Sequence, residues 1–164
     1  MHRRGLLLAG GAAVLGGCGF ELRRPPELAF RTIHINGNER SSLVVELSRS
    51  IAAVGNVQVL SGRDAPRADV RLDVLNDQRE KVVVGVGTAG QVREFQLRVR
   101  FRFQLRNAQA EELIAPVELL QQRDISYSES AALAKEAEEA LLYRNMQSDV
   151  VQQTLRRLAA VKKI

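Results

Sequence analysis

Two groups of side chains in this sequence have chemistry to offer. They are the thiol of Cys18, the only cysteine in 164 residues, and the guanidinium groups of Arg98, Arg100, Arg102 and Arg106. A lone thiol closes no disulfide within the chain, so stability must come from packing. It becomes a catalytic nucleophile only beside a base, and beyond His2 the one histidine is His34, which lies in a β-rich stretch and reads as a half-buried strand residue. No His, Cys and Asp cluster has metal-ligand spacing. Glu136, Glu138 and Glu139 fall together as the solvated face of a helix. The sequence therefore assigns no catalytic residue, no metal and no cofactor, and a binding or assembly role is the default. The arginines are different, because a guanidinium fork matches the geometry of carboxylate and phosphate oxygens.

The surroundings of Cys18 say what its thiol is for. Met1-His2-Arg3-Arg4 is followed by an apolar run from Gly5 to about Leu15 and then by Leu15-Gly16-Gly17-Cys18. A basic start, a short apolar segment and small residues before a cut point make a secretory signal, too short to span a bilayer. Leu-Gly-Gly-Cys resembles the lipobox of bacterial lipoproteins, where the thiol receives a diacylglycerol, the peptide is cut before it and the new amino terminus is acylated. Residues 1–17 are then the signal peptide, residues 18–29 a lipidated tether carrying Pro25 and Pro26, and residues 30–164 a single domain. Losing Arg3 and Arg4 leaves 22 basic against 19 acidic residues, a net charge of +3. That balance gives no reason to expect nucleic acid.

The elements that must position the arginines follow from periodicity. Residues 30–35 are β-rich and end at the turn Asn36-Gly37-Asn38. Ser41 or Ser42 can cap a helix whose Leu43, Leu47, Ile51 and Val54 repeat at helical spacing before Gly55. Val57 to Leu60 is a short strand, and Val70, Leu72 and Val74 alternate against Asp69, Arg71 and Asp73 so that one side faces a core. Gly85 to Gly90 matches a G-x-G-x-x-G pattern. A dinucleotide loop needs a helix directly after it, whereas a strand follows here, so the glycines form a hairpin turn.

That strand, about Gln91 to Asn107, sets Leu97, Val99, Phe101, Phe103 and Leu105 on one side and Gln96, Arg98, Arg100, Arg102, Gln104 and Arg106 on the other. Same-side arginines lie roughly 6.8 Å apart and repel by about 0.6 kcal/mol per pair even in bulk water. Either acids on adjoining strands neutralise them, with Asp69 and Asp73 the obvious candidates, or the face receives an anionic partner. Glu111 to Tyr127 is a further strand, bulged near Pro116 and suited to an edge. Ser126-Tyr127-Ser128-Glu129 has capping-box spacing and opens a long helix to Ala160, with a stripe of Leu133, Ala137, Leu141, Arg144, Ser148, Val151, Leu155 and Leu158. The fold these faces satisfy is α+β: a two-layer sandwich with two helices on one face of a mixed, mainly antiparallel sheet.

Several segments in order carry a family resemblance. Cys18-Gly19-Phe20-Glu21-Leu22-Arg23, the Gly90-Gln91 turn, Ala132-Leu133-Ala134-Lys135, and Asn145-Met146 through Leu155-Arg156-Arg157-Leu158 resemble LptE, the lipopolysaccharide-assembly lipoproteins. The resemblance implies an outer-membrane lipoprotein facing the periplasm, anchored through its N-terminal lipid. It also implies a heterodimer with the LptD β-barrel as plug and assembly factor, and binding of lipopolysaccharide. Gly19, not aspartate, after the acylated cysteine agrees with export to the outer membrane. The resemblance places lipopolysaccharide on Lys135 at the start of the last helix and on a hairpin position near Thr88, which is uncharged and leaves Arg93 or Lys81 to supply the cation. Lys135 and Arg93 rank ahead of Arg98, Arg100, Arg102 and Arg106. Barrel contact falls to the polar sheet face, the loops and the outer side of the helices, with no large exposed apolar patch. Two other readings stand beside this one: a generic membrane-anchored periplasmic lipoprotein that binds anions or lipid without a barrel partner, and a periplasmic enzyme, which the residue inventory disfavours.

Overall fold

In the computed structural model, residues 27–164 are described, and the expected signal, Cys18 and most of the expected tether lie outside them. The elements in chain order are β1 (Thr32–Asn36), α1 (Ser42–Ala52), β2 (Gln58–Leu60), a 3-10 turn (Gly62–Arg67), β3 (Val70–Val86), β4 (Val92–Asn107), β5 (Glu112–Ser126), a second 3-10 turn (Glu129–Ala131) and α2 (Ala132–Ala160). The sheet order is β2-β1-β3-β4-β5. β1 runs parallel to β2 and β3, while β3, β4 and β5 form a long antiparallel meander. The fold is α+β.

Local chemistry explains the boundaries. Ser41 caps α1, its Oγ accepting from the Val44 N–H at 3.3 Å, and beyond the helix Gly55 takes φ +88°, a conformation open to glycine. The glycine pattern after Val86 is a hairpin turn, with Gly87 N–H donating to the Gln91 carbonyl at 2.7 Å and Gly90 N–H to the Gly87 carbonyl at 2.9 Å. Pro116 sits on the edge strand, where Ala115 and Pro116 bulge between the Phe103–Val117 and Leu105–Ile114 pairs.

The core lies between the sheet and both helices. Leu97, Val99, Phe101, Phe103 and Leu105 of β4 are fully buried with Ile33, Val70 and Leu72, against Leu43, Leu47 and Ile51 of α1 and Met146, Val150, Val151 and Leu158 of α2. At roughly 1.5–3 kcal/mol per buried large aliphatic or aromatic side chain, this layer is the main favourable term, and it holds without a disulfide.

The alternation of Val70, Leu72 and Val74 holds, a bulge follows it, and two expectations change. Val74 pairs with Phe103 and Asn76 with Arg102, so Leu75 is an extra residue; the bulge flips the strand's parity. Below it Val70 and Leu72 face the helices, and above it Asp77, Arg79 and Lys81 do, bonding Ser41, Gln147 and Glu139. The α2 stripe is also shifted in its first half. Leu133, Leu141, Arg144 and Ser148 are exposed, and the buried positions are Met146, Gln147, Val150, Val151, Thr154, Leu155 and Leu158. The C-terminal half sets the phase because only it meets the apolar half of the sheet. Finally, the capping box does not form. Ser126 is still paired with Glu94 in the β4–β5 ladder and its Oγ accepts from Lys135, so no helical turn follows it; the 3-10 turn intervenes and α2 starts at Ala132.

Asp69 and Asp73 serve the parallel edge of the sheet. Asp69 Oδ2 accepts the N–H groups of Arg31 and Thr32, both at 2.9 Å, while its own N–H donates to Thr32 Oγ1 at 2.8 Å. Asp73 accepts from Asn36 at 2.8 Å and Gln104 at 3.1 Å and pairs with Arg71 at 3.0 Å. Burial by itself would raise both carboxyls. The backbone and side-chain bonds at Asp69, and at Asp73 the Asn36 and Gln104 bonds with the charges of Arg71 and Arg106, outweigh it and hold both below the ordinary 3.8. A carboxyl depressed in the folded state contributes stability above its unfolded pKa and loses it as pH falls through the folded one. Urea unfolding followed at several pH values is therefore expected to show stability falling below about pH 4. Asp69→Ala should flatten that slope and cost about 1–3 kcal/mol at neutral pH.

Candidate functional site

The arginine stripe lies on the sheet face turned away from the helices, and the ladder register brings carboxylates to it. Glu80 stands opposite Arg98, Glu118 opposite Arg102 and Glu112 opposite Arg106. Arg100 Nη1 donates to Glu118 Oε1 at 2.9 Å and its Nε lies 4.0 Å from Glu80; Arg98 Nε donates to Gln96 at 2.7 Å, with Nη1 3.9 Å from Glu80. Acids on the adjoining strands thus answer part of the stripe. Arg98 and Arg100 are answered by Glu80 and Glu118, not by Asp69, which is occupied at β1. Arg106 feels the charge of Asp73. Arg102 is exposed and forms no ion pair within 4.0 Å with another described residue. The face is zwitterionic, and such half-exposed pairs contribute little individually.

Arg93 and Lys135 come together elsewhere, at the end of the sheet that carries the β3–β4 hairpin. The Arg93 carbonyl accepts the Tyr127 N–H at 2.7 Å, and one residue earlier Ser126 Oγ accepts from Lys135 Nζ at 3.0 Å. Lys135 also bonds Glu138 at 2.9 Å. Lys81 joins this end: its Nζ lies 2.6 Å from Glu139 Oε2 and 4.3 Å above the Phe95 ring, which packs edge-on against Tyr127. Arg93, Lys135 and Lys81 lie at this end of the sheet, and the Arg98 to Arg106 stripe runs along its outer face.

A third feature was not foreseen. An open groove of about 560 Å³ runs between β3 and α2, lined by Arg79, Lys81, Glu136, Glu139, Tyr143 and Arg144. The Leu75 bulge makes it by turning Arg79 and Lys81 toward the helices, and parity read from Val70 to Val74 points them the wrong way. Arg79 is its structural member. Nη2 donates to Ser42 Oγ at 2.7 Å and to Gln147 Oε1, and the guanidinium lies 5.6 Å from the Tyr143 ring. Tyr143 donates to the Glu80 carbonyl at 2.7 Å; burial and the nearby Glu139 charge raise its pKa. Among the described residues no group of His, Cys, Asp and Glu could hold a metal ion, and no helix is long and apolar enough to cross a membrane.

Large apolar side chains are exposed at the same end. Val83, Val84 and Val86 of the hairpin are 47%, 48% and 65% exposed, and Leu133 of α2 is 83% exposed. This departs from the expectation of a surface without an apolar patch, because the hairpin extends past the end of β5 and past the cover of α2.

Comparison with known proteins agrees with this architecture. The family model described as "LptE: Lipopolysaccharide-assembly" matches residues 30–158. The chain belongs to the LptE family. It is 26% identical over 166 residues to the LPS-assembly lipoprotein LptE of Pectobacterium atrosepticum, covering 98% of this chain and 88% of that one. The solution structure of a lipoprotein B from Nitrosomonas europaea superposes with TM-score 0.74 at 31% identity, over 87% of this chain and 91% of that one. A rare lipoprotein B from Shewanella oneidensis shares the fold, with TM-score 0.63 at 22% identity over 79% and 95% of the two chains. The LptE match takes in β1 through nearly all of α2, and so the hairpin, the cationic end and the arginine face alike.

The geometry separates a structural arginine from a surface one. Arg79→Ala removes the bonds joining β3 to both helices and should lower stability by about 1–3 kcal/mol in urea unfolding. Arg102→Ala should stay within about 0.5 kcal/mol of the parent. Equal losses would contradict this division.

Proposed function

We propose that this chain is an outer-membrane lipoprotein, held at the periplasmic face by lipid on Cys18, that partners the LptD β-barrel as plug and assembly factor and binds lipopolysaccharide during its transport to the outer leaflet. The observation that carries the reading is the family match across residues 30–158. The arrangement of charge supports it from below. A phosphorylated lipid needs cations it can reach, and Arg93, Lys135 and Lys81 lie at one end of the sheet, with Lys135 ion-paired to Glu138 and Lys81 to Glu139 on α2. The zwitterionic arginine face suits a mixed polar interface, in which charge complementarity fixes register more than affinity. Arg98, Arg100 and Arg102 on that face would meet the barrel wall. No step of this role asks for a catalytic group or a cofactor.

Affinity capture of the tagged protein from outer membranes tests the reading. Recovery of a large β-barrel in one-to-one ratio is the expected result, and recovery of lipid without a barrel would favour the anchored lipid-binding lipoprotein instead. In the same preparation, Arg93→Gln with Lys135→Gln should weaken lipopolysaccharide binding roughly tenfold, equivalent to about 1.4 kcal/mol, with barrel recovery unchanged. Arg98→Gln, Arg100→Gln and Arg102→Gln together should lower barrel recovery while the fold persists by circular dichroism.

A further inference from the structure

One stretch of surface carries positive charge with no acid beside it. The second half of α1 and its exit, Leu47 to Gly55, and the second half of α2 with the residues after it, Val150 to Ile164, together hold Arg49, Arg156, Arg157, Lys162 and Lys163 and not one Asp or Glu. All five are exposed, and none forms an ion pair within 4.0 Å with another described residue. Over the rest of residues 27–164 the balance is reversed, with 15 basic residues against 18 acidic ones. The fold lays the two segments side by side. Gln147 of α2 donates to the Ser42 carbonyl at 3.2 Å and to Glu46 of α1, so the helices meet there, and both run on away from the β3–β4 hairpin. α1 opens beside Asp77 and leads to Gln58, whose N–H donates to the Arg31 carbonyl at 2.8 Å; α2 passes Lys81, Glu80 and Arg79 in turn. From Gln147 to Ala160 α2 covers a further ~20 Å toward the end where the chain enters.

Helix ends account for part of this charge. A cation in the last turn complements the helix dipole, and Arg49 and Arg157 stand in the last turns of α1 and α2. That leaves Arg156, Lys162 and Lys163, and the absence of any carboxylate over both segments. Like charges gathered on one surface repel, and an anionic partner relieves them. The tether indicates which partner. Arg31 and Thr32 share an open groove with Ala52, Gly55 and Val57, so the chain enters beside the end of α1. Cys18 precedes Glu27 by nine residues, a reach of at most about 32 Å. A lipid on Cys18 keeps this surface within that distance of the headgroups, whatever else the domain touches. The hairpin with Lys81, Arg93 and Lys135 lies at the other end: at 3.3 Å per residue the 17 residues of β3 place the two ends roughly 55 Å apart.

We propose that the acid-free helix surface bearing Arg49, Arg156, Arg157, Lys162 and Lys163 is a docking face for the anionic phospholipid headgroups of the leaflet that holds the anchor. The inference rests on the reading of Cys18 as lipidated. An acyl anchor fixes one point and leaves the domain free to turn about it; a basic surface beside the anchor supplies a second contact and sets the orientation. The contact is electrostatic, so it acts within a screening length of about 8 Å at physiological ionic strength and weakens as salt is added.

Cys18 is the only cysteine and the chain contains no tryptophan, so an anchor and a fluorescent donor can each be placed at one position. The chain from Cys18 onward, which contains every described core residue, is coupled through that thiol to a maleimide lipid in vesicles that also carry a dansyl-headgroup lipid. Energy transfer is read from Gln152→Trp, one turn before Arg156 on the basic surface, or from Thr88→Trp at the hairpin. Replacing phosphatidylcholine with phosphatidylglycerol is expected to raise transfer from position 152 and to leave position 88 unchanged. The rise should vanish in about 1 M salt, where the screening length is about 3 Å, and in the combined variant R156Q, R157Q, K162Q and K163Q, with the fold checked by circular dichroism. Equal transfer from position 152 in the two lipids overturns the proposal, as does a rise that survives the four substitutions or one that appears at position 88 instead. Loss of barrel capture by the combined variant with equal transfer in the two lipids would also overturn it, giving the surface to a protein partner. The coupling supplies the anchor chemically, so equal transfer with normal barrel capture removes the docking face and leaves the LptE role standing.

Discussion

One extra residue, Leu75, divides this sheet into two chemically different halves. Below it β3 presents Val70 and Leu72 to the helices and completes the core with Phe103 and Leu105; above it the same face presents Asp77, Arg79 and Lys81. The helices must answer both. The C-terminal half of α2 lays Val150, Val151 and Leu158 on the apolar part, and its N-terminal half meets charges with Glu139, Tyr143 and Gln147. Arg79, bonded to Ser42 and Gln147, is the junction where β3, α1 and α2 are held together above the core. Were the strand regular, Asn76, Gln78 and Glu80 would face the helices instead, and the carboxylate that answers Arg98 and Arg100 would be lost from the opposite face. The groove, the seating of α2 and the neutralised part of the arginine stripe all follow from that single insertion.

The division also gives the molecule a direction. The stable end holds the core, the parallel β1 and β2 edge and the point where the chain enters; the other end carries the cations Lys81, Arg93 and Lys135, the exposed valines and the first turns of α2. The packed core and these exposed cations and valines are thus kept at separate ends. The arginine face lies between them, built of half-exposed pairs that contribute little to stability individually.

Much of this was legible in the chain. From Phe95 to Leu105 β4 alternates without interruption because it is the central strand of the meander with one face on the core, and Ser41 and Gly55 bracket α1 by the hydrogen bonds and φ angle that end helices. The glycines after Gly85 were separable from a phosphate loop because a strand follows them. The Leu75 bulge was not legible, since one residue added within Val74-Leu75-Asn76 leaves the composition of a strand unchanged while reversing every side chain beyond it. The error in the α2 stripe has the same origin, as a helix over charged strand positions need not keep an apolar face. Asp69 was misassigned because its partners, the N–H groups of Arg31 and Thr32, are backbone groups 38 and 37 residues away, invisible to any local pattern. Arg93 and Lys135 could be proposed from the resemblance, but their meeting near Ser126 depends on β5 ending where it does.

The central claim is that the zwitterionic face of this sheet is seated against a β-barrel while the hairpin end is turned to lipid. Site-specific photo-crosslinking in intact outer membranes addresses it most directly, with the reactive side chain placed at Arg102 on that face and at Val86 on the hairpin. The account predicts an adduct of barrel size from position 102 and a lipid adduct from position 86. No barrel adduct from position 102, with the protein present and folded in the membrane, would contradict it.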